Sequence, residues 1–291
     1  MSLSVIIKSK GRSYWSLVKS LQTGLLLLTG FAGYISARCP IITWGTLLGL
    51  IGSLFLAISG STILNMVYDR DIDLLMTRTC TRPLPSGKVS VKEATLLGTG
   101  TSLLGIGWAF ALDPLYGIVV FVGWSLDVIV YTIWLKRRTP WSIVWGGIAG
   151  GIPILAGRVL GLGSIDWVGI FLALSVLMWI PTHILTFSLR YTDDYARASI
   201  PTFPSVYGDK TTRLLIAGSS VASALSMAIA MVGVGTSWGY IRLLIVLSVG
   251  LLMLAISSLL KPSLKTNYNL FKYASVFMLV SMMMVVTGVL V

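Results

Sequence analysis

The chain runs to 291 residues, 55% hydrophobic and only 11% charged, and its mean hydropathy of +0.88 excludes an ordinary soluble domain. Its net charge of +12 would point to nucleic acid if the basic residues shared one soluble face, but they are scattered loop by loop along an apolar chain. Neither Cys39 nor Cys80 belongs to a CxxC or CxxCH pattern, which removes thiol redox chemistry and covalent heme attachment.

Residues 1–17 read as a short, basic, retained cytoplasmic leader with no A-x-A-like cleavage site and no transit peptide, which favours a prokaryotic setting. From there the hydropathy predicts nine membrane spans of about 20 residues each, near 18–37, 41–64, 93–111, 115–135, 142–160, 166–188, 213–233, 240–260 and 270–291. No soluble block or linker interrupts them, so the expectation is one all-α membrane domain over 1–291. All of the 22 Lys and Arg except Arg38, Arg158 and Arg242 fall in the leader and the even-numbered loops. The positive-inside rule makes that side cytoplasmic, with the N-terminus inside the cell membrane and the C-terminus outside. Cys39 and Cys80 then lie on opposite faces and form no disulfide.

The second span ends in Asn65-Met-Val-Tyr-Asp69-Arg-Asp71-Ile-Asp73. If the helix continues, Asn65, Asp69 and Asp73 line one face with a drift of about 40° per step, and Asp71 points elsewhere. Carboxylates four apart repel unless a cation lies between them. Magnesium takes a few carboxylates, water and phosphate oxygens rather than a full protein cage, and this trio offers such a partial shell. The competing reading is a solvated acidic patch with Asn65 as a cap, but acidic clusters at a membrane boundary are costly unless they serve a purpose. Arg78 and Arg82 follow in a turn-rich stretch that ends Arg82-Pro-Leu-Pro-Ser-Gly87-Lys88. Guanidinium groups suit bidentate phosphate contacts, so one loop holds acid for a metal and base for an anion.

The fourth span contains an isolated Asp127, a functional candidate because it is ionisable at membrane depth. It ends at Lys136-Arg137-Arg138. Lys136 and Arg137 are placed to stabilise a departing diphosphate, whereas Arg138 suits a stop-transfer anchor equally well. The sixth span carries the only histidine, His183, in Trp179-Ile-Pro-Thr-His183, where a packing role competes with a ligand role. Beyond it, Arg190-Tyr-Thr-Asp193-Asp194-Tyr-Ala-Arg197 forms a second acidic loop on the same side as the first. Two such loops facing one site can clamp a diphosphate with more than one magnesium ion.

These stretches resemble the UbiA superfamily of intramembrane prenyltransferases and, within it, the protoheme IX farnesyltransferase (heme O synthase) branch. The superfamily likeness rests on NxxxDxxxD at Asn65 to Asp73 and on the second acidic loop. The narrower likeness rests on DRDIDxxMxRTxxRPLPSG at Asp69 to Gly87, YTxWLKRRTPxxIVxGGxAG at Tyr131 to Gly150, and DYARAxIPxxP at Asp194 to Pro204. The chain departs from the family in reading Trp179-Ile-Pro-Thr-His183-Ile-Leu for WTPPHFW and Lys19-Ser20 for KP. It also has Arg190 where many aromatic prenyltransferases carry an acid.

The resemblance implies a nine-helix bundle with a central cavity. It implies transfer of a farnesyl group from farnesyl diphosphate to a vinyl group of heme B, with water added, giving heme O and diphosphate. Asp69, Asp73, Tyr131 and Lys136 would be catalytic, and Asn65, Arg78, Arg82, Lys136 and Arg137 would bind the diphosphate. Asn65, Asp69, Asp73, Asp193 and Asp194 would hold Mg2+, and His183 would position heme. The lipid bilayer is the medium, with heme A synthase or terminal oxidase assembly downstream. The alternatives are another lipid-soluble acceptor (a quinone precursor, a glycerol phosphate lipid or a chlorophyllide) and, from another class, a cation transporter using Asp127, Asp69 and Asp73.

Overall fold

A computed structural model describes residues 3–38 and 43–290, so the expectation for Cys39 lies outside the described residues. No strand occurs among the described residues. The helices are α1 (Leu3–Leu17), α2 (Ser20–Ser36), α3 (Trp44–Tyr68), α4 (Arg70–Leu75), α5 (Val91–Leu112), α6 (Pro114–Ser125), α7 (Ser142–Leu162), α8 (Trp167–Arg190), α9 (Thr192–Arg197), α10 (Phe203–Val234), α11 (Trp238–Leu260) and α12 (Leu264–Leu290). Between α6 and α7 the chain continues α6 as a π-helical segment, Leu126–Leu135.

Eight helices among the described residues are long and apolar enough to cross a membrane, counting α6 and the π segment as one. The ninth expected span is α2, which at 17 residues is shorter. Leucine- and valine-rich faces such as Leu103, Leu104 and Val246 remain exposed, as suits contact with lipid.

Local chemistry sets the helix starts. Asp113 and Asp166 accept from the backbone N–H groups of Tyr116 and Gly169, and Ser90 forms a capping box with Glu93. These satisfy donors left open in a first helical turn. Three acids are thereby accounted for outside any site. α10 is interrupted at Gly208, whose φ of 79° leaves the helical region. The expected span near 213–233 is the longer part beyond that break.

The long helices pack against their sequence neighbours in a ring, from α2 through α3, α5, α6, α7, α8, α10 and α11 to α12, and α12 closes it against α2. α2 also crosses to α7, and α8 to α12. The α2–α7 crossing depends on small residues. A Cβ on Gly33 would lie 1.9 Å from the Ile154 carbonyl oxygen, and one on Gly157 would lie 1.9 Å from that of Gly30. Such near backbone contact is how helices associate where lipid removes the hydrophobic drive. Near the end of α7, buried Arg158 donates to both oxygens of Asp166 (2.7 Å each) and to the Ser36 carbonyl. This contact ties α2, α7 and the start of α8 together, and it holds the Asp166 carboxyl below its usual range.

Candidate functional site

Asp69 stands at the junction of α3 and α4 with φ −86° and ψ 3°. Its N–H still donates to Asn65 O (2.9 Å), and its carbonyl still accepts from Asp73 N (2.8 Å). The one-face spacing expected from sequence therefore survives a change of helix. Asp69 and Asp73 are buried, whereas the Asp71 side chain is 65% exposed, so the turn of the helix separates them as the spacing predicts.

Each acid meets a base. Lys136 donates its Nζ to Asp69 Oδ2, Arg82 bonds both oxygens of Asp73 (3.0 and 2.8 Å), and Arg137 bonds both of Asp71 (2.7 and 2.6 Å). Arg137 also donates to the Tyr68 carbonyl and lies over the Tyr68 ring. The hydrogen bonds from Arg137 hold the exposed Asp71 carboxyl below its usual range. Tyr131 sits with its ring centroid 5.6 Å from Lys136 Nζ and packs over Gly146, where a Cβ would come within 3.1 Å of the ring.

The second acidic loop docks onto the first. Asp194 is buried, and its Oδ1 accepts from the hydroxyl (2.7 Å) and the backbone N–H (3.3 Å) of Thr77 and from Arg197. The Thr77 hydroxyl, then Arg197, hold its carboxyl below the usual range. Beneath these polar contacts Ile72, Met76, Ala198 and Ile200 form a small apolar cluster of their own, with Tyr195 against it. Asp193, one residue earlier, is exposed, and its side chain makes no hydrogen bond among the described residues. Arg78 turns toward α8 and α9, donating to Tyr195 Oη (3.4 Å) and lying 4.9 Å from the Phe187 ring. Of the expected residues, Asn65, Asp69, Asp73, Arg82, Tyr131 and Lys136 are linked by contacts around the end of α3. Asp194 is held against the loop after α4 by Thr77, and Arg78 bonds Tyr195 of α9.

Sequence reasoning passed over Thr77, Thr132 and Lys19. Thr132 is buried and accepts from Asn65 Nδ2 (2.9 Å). Lys19 lies between α1 and α2 with φ 48°, near enough to Asp69 and Asp127 for their charges to act on it. The departure from KP at Lys19-Ser20 was the available signal for the last. Asp127 accepts from Ser61 Oγ (2.9 Å), which supplies the partner left open from sequence.

His183 is stacked between Trp179 and Phe271, with centroids 4.7 and 4.4 Å away. Its Nδ1 is 3.2 Å from Ser275 Oγ, whose single proton goes to the Phe271 carbonyl at 3.0 Å. Ser275 Oγ thus links His183 Nδ1 to the Phe271 carbonyl and fixes the orientation of the ring.

Two carboxylate oxygens, Asp69 Oδ1 and Asp194 Oδ2, are buried with no hydrogen-bond partner. A buried unsatisfied acceptor costs about 1–3 kcal/mol, and one on each of two docked acidic loops is what a hard cation would relieve. No group of three His, Cys, Asp or Glu side chains encloses an ion among the described residues. Magnesium takes a few carboxylate oxygens together with phosphate and water oxygens, and the two orphaned oxygens are donors of that kind. The oxygen-only donor set fits this metal.

A family model described as the UbiA prenyltransferase family matches residues 26–281. The chain is 40% identical over 229 residues to the protoheme IX farnesyltransferase of Korarchaeum cryptofilum, covering 78% of this chain and 77% of that one. It is 36% identical over 269 residues to that of Thermofilum pendens, covering 90% and 93%. Among solved structures, a digeranylgeranylglyceryl phosphate synthase matches with a TM-score of 0.81 at 18% identity over 97% of this chain and 99% of that one. A UbiA homolog from Archaeoglobus fulgidus bound to GPP and Mg2+ matches with a TM-score of 0.74 at 16% identity over 94% and 99%. At such identities the structures establish the shared fold.

Proposed function

This chain belongs to the UbiA prenyltransferase family, and from that premise we propose that it moves a farnesyl group from farnesyl diphosphate to a vinyl group of heme B, giving heme O and diphosphate. The acceptor and the chain length rest on the relatives over most of this chain, which are named for that reaction. The observation that carries the site is the pair of orphaned carboxylate oxygens, Asp69 Oδ1 and Asp194 Oδ2, on two loops locked together.

Asn65, Asp69, Asp73, Asp193 and Asp194 would hold magnesium, whose charge when bound offsets that of the diphosphate. Lys136, Arg82 and Arg137 now neutralise carboxylates, and with Arg78 they supply the cations that receive phosphate oxygens. Their charge lies where the leaving group develops negative charge, so the allylic C–O bond breaks with its electron pair going to the diphosphate. The vinyl π electrons of the acceptor form the new C–C bond. Water then captures the cation beside the porphyrin and loses a proton. Tyr131, beside Lys136, borders this region, and the docked α4 and α9 loops limit the access of bulk water before the bond forms. His183, stacked between Trp179 and Phe271, would position the heme acceptor. The same reading puts the basic loops at the cytoplasmic face of a cell membrane.

The test is purified protein in lipid with heme B, farnesyl diphosphate and magnesium, followed by mass analysis of the extracted heme. A heme heavier by a farnesyl group plus a hydroxyl group is expected. Unchanged heme alongside prenylation of an aromatic acid would overturn the acceptor and leave the family intact.

A further inference from the structure

We propose that Thr132 is a positioning residue that fixes the Asn65 amide with its oxygen, not its nitrogen, toward the diphosphate site; this rests on the reading of Asn65 as a metal ligand. Thr132 is 1% exposed, and its Oγ1 donates to the Asp127 carbonyl at 2.7 Å. A hydroxyl has one proton. With it committed to Asp127, Oγ1 offers Asn65 only lone pairs, so the amide must present Nδ2, as it does at 2.9 Å. Oδ1, on the other arm of the amide, is then turned away from Thr132. The distinction is functional, because an amide oxygen ligates a hard cation and an amide NH2 repels it.

The same contact explains the ten-residue π-helical segment. Ser61 and Asn65 are four apart on α3, about one turn, and they bond Asp127 and Thr132, which are five apart. In an α-helix residues five apart point about 140° away from each other, so only one of them would face α3. Winding with i to i+5 bonds, seen from Lys136 N to Tyr131 O at 2.9 Å, brings both onto one face. It also sets the Thr132 hydroxyl on the carbonyl five residues back. The rare winding thus makes one α3 face readable at two positions.

The experiment measures magnesium-dependent binding of farnesyl S-thiolodiphosphate, an unreactive donor analogue, by calorimetry in nanodiscs, alongside the thermal midpoint of each variant. Thr132→Val is expected to weaken binding about tenfold or more, as loss of an outer-shell partner does. Thr132→Ser, which keeps the hydroxyl, should stay within about threefold, and its recovery separates orientation from packing. In an Asn65→Ala background Thr132→Val should add nothing, because the amide it orients is gone. Wild-type affinity in Thr132→Val, equal losses in Val and Ser variants, or an undiminished loss in the Asn65→Ala background would each overturn the inference while leaving the proposed reaction standing. Failure of the wild-type protein to bind the analogue with magnesium would overturn both.

Discussion

At Asp69 one carboxylate oxygen accepts from Lys136 and the other accepts from nothing, so the residue is both a structural partner and an open ligand. Asp69→Ala strands a largely buried ammonium, and breaking a buried pair costs about 3–5 kcal/mol. Asp69→Asn keeps the shape and removes the charge, so it is the cleaner probe. We expect Asp69→Asn and Asp73→Asn to lower turnover at least about a hundredfold with the protein still extracted folded, whereas Asp71→Asn, exposed and paired with Arg137, stays within a few-fold. Equal losses at all three positions in a heme-product assay would refute the division of the cluster. His183→Ala should weaken binding of heme B, read from its Soret band, and Ser275→Ala should weaken it less, because only a contact that orients the ring is removed. The spacing of Asn65, Asp69 and Asp73 was legible because helical periodicity is local. The roles of Thr77 and Thr132 were not, since each depends on a partner more than sixty residues away in the chain.

Elements carry two further expectations. The docking of α9 onto the loop after α4 rests partly on Asp194, whose carboxyl is held below its usual range by the Thr77 hydroxyl and by Arg197. A depressed carboxyl contributes stability that is fully present above the unfolded value of about 3.9 and is lost as pH falls through the folded value. Hydrogen exchange across 192–197 should therefore be flat from about pH 8 to pH 5, after correction for intrinsic rates, and rise below about pH 4. Thr77→Val, by removing the larger cause, should move that rise to higher pH. The second expectation concerns α2 and α7. A side chain at Gly157 meets the Gly30 backbone, which cannot yield as a flexible side chain would. Gly157→Val should lower the thermal midpoint sharply or abolish folded protein, whereas Gly107→Ala, with open space around it, should leave it unchanged. Helix positions followed from hydropathy runs in the sequence. The π winding did not, because its reason is the register against α3.

For the molecule as a whole, the charge distribution predicts that the basic loops face the cytoplasm. In a background of Cys39→Ser and Cys80→Ser, an impermeant maleimide added to intact cells should label Ser164→Cys and not Ser86→Cys, both positions being exposed; the reverse pattern would invert the topology. The sequence by itself determined a multi-pass helical membrane protein with two acidic and several basic segments on one face, because hydropathy, charge bias and helical spacing are properties of short stretches. Only the tertiary structure decided that α12 closes the ring on α2, that each of Asp69, Asp71, Asp73 and Asp194 is matched to its own base, and that one oxygen each of Asp69 and Asp194 is left unsatisfied. Those outcomes depend on which distant helices become neighbours, and that choice is made by packing rather than by any local pattern.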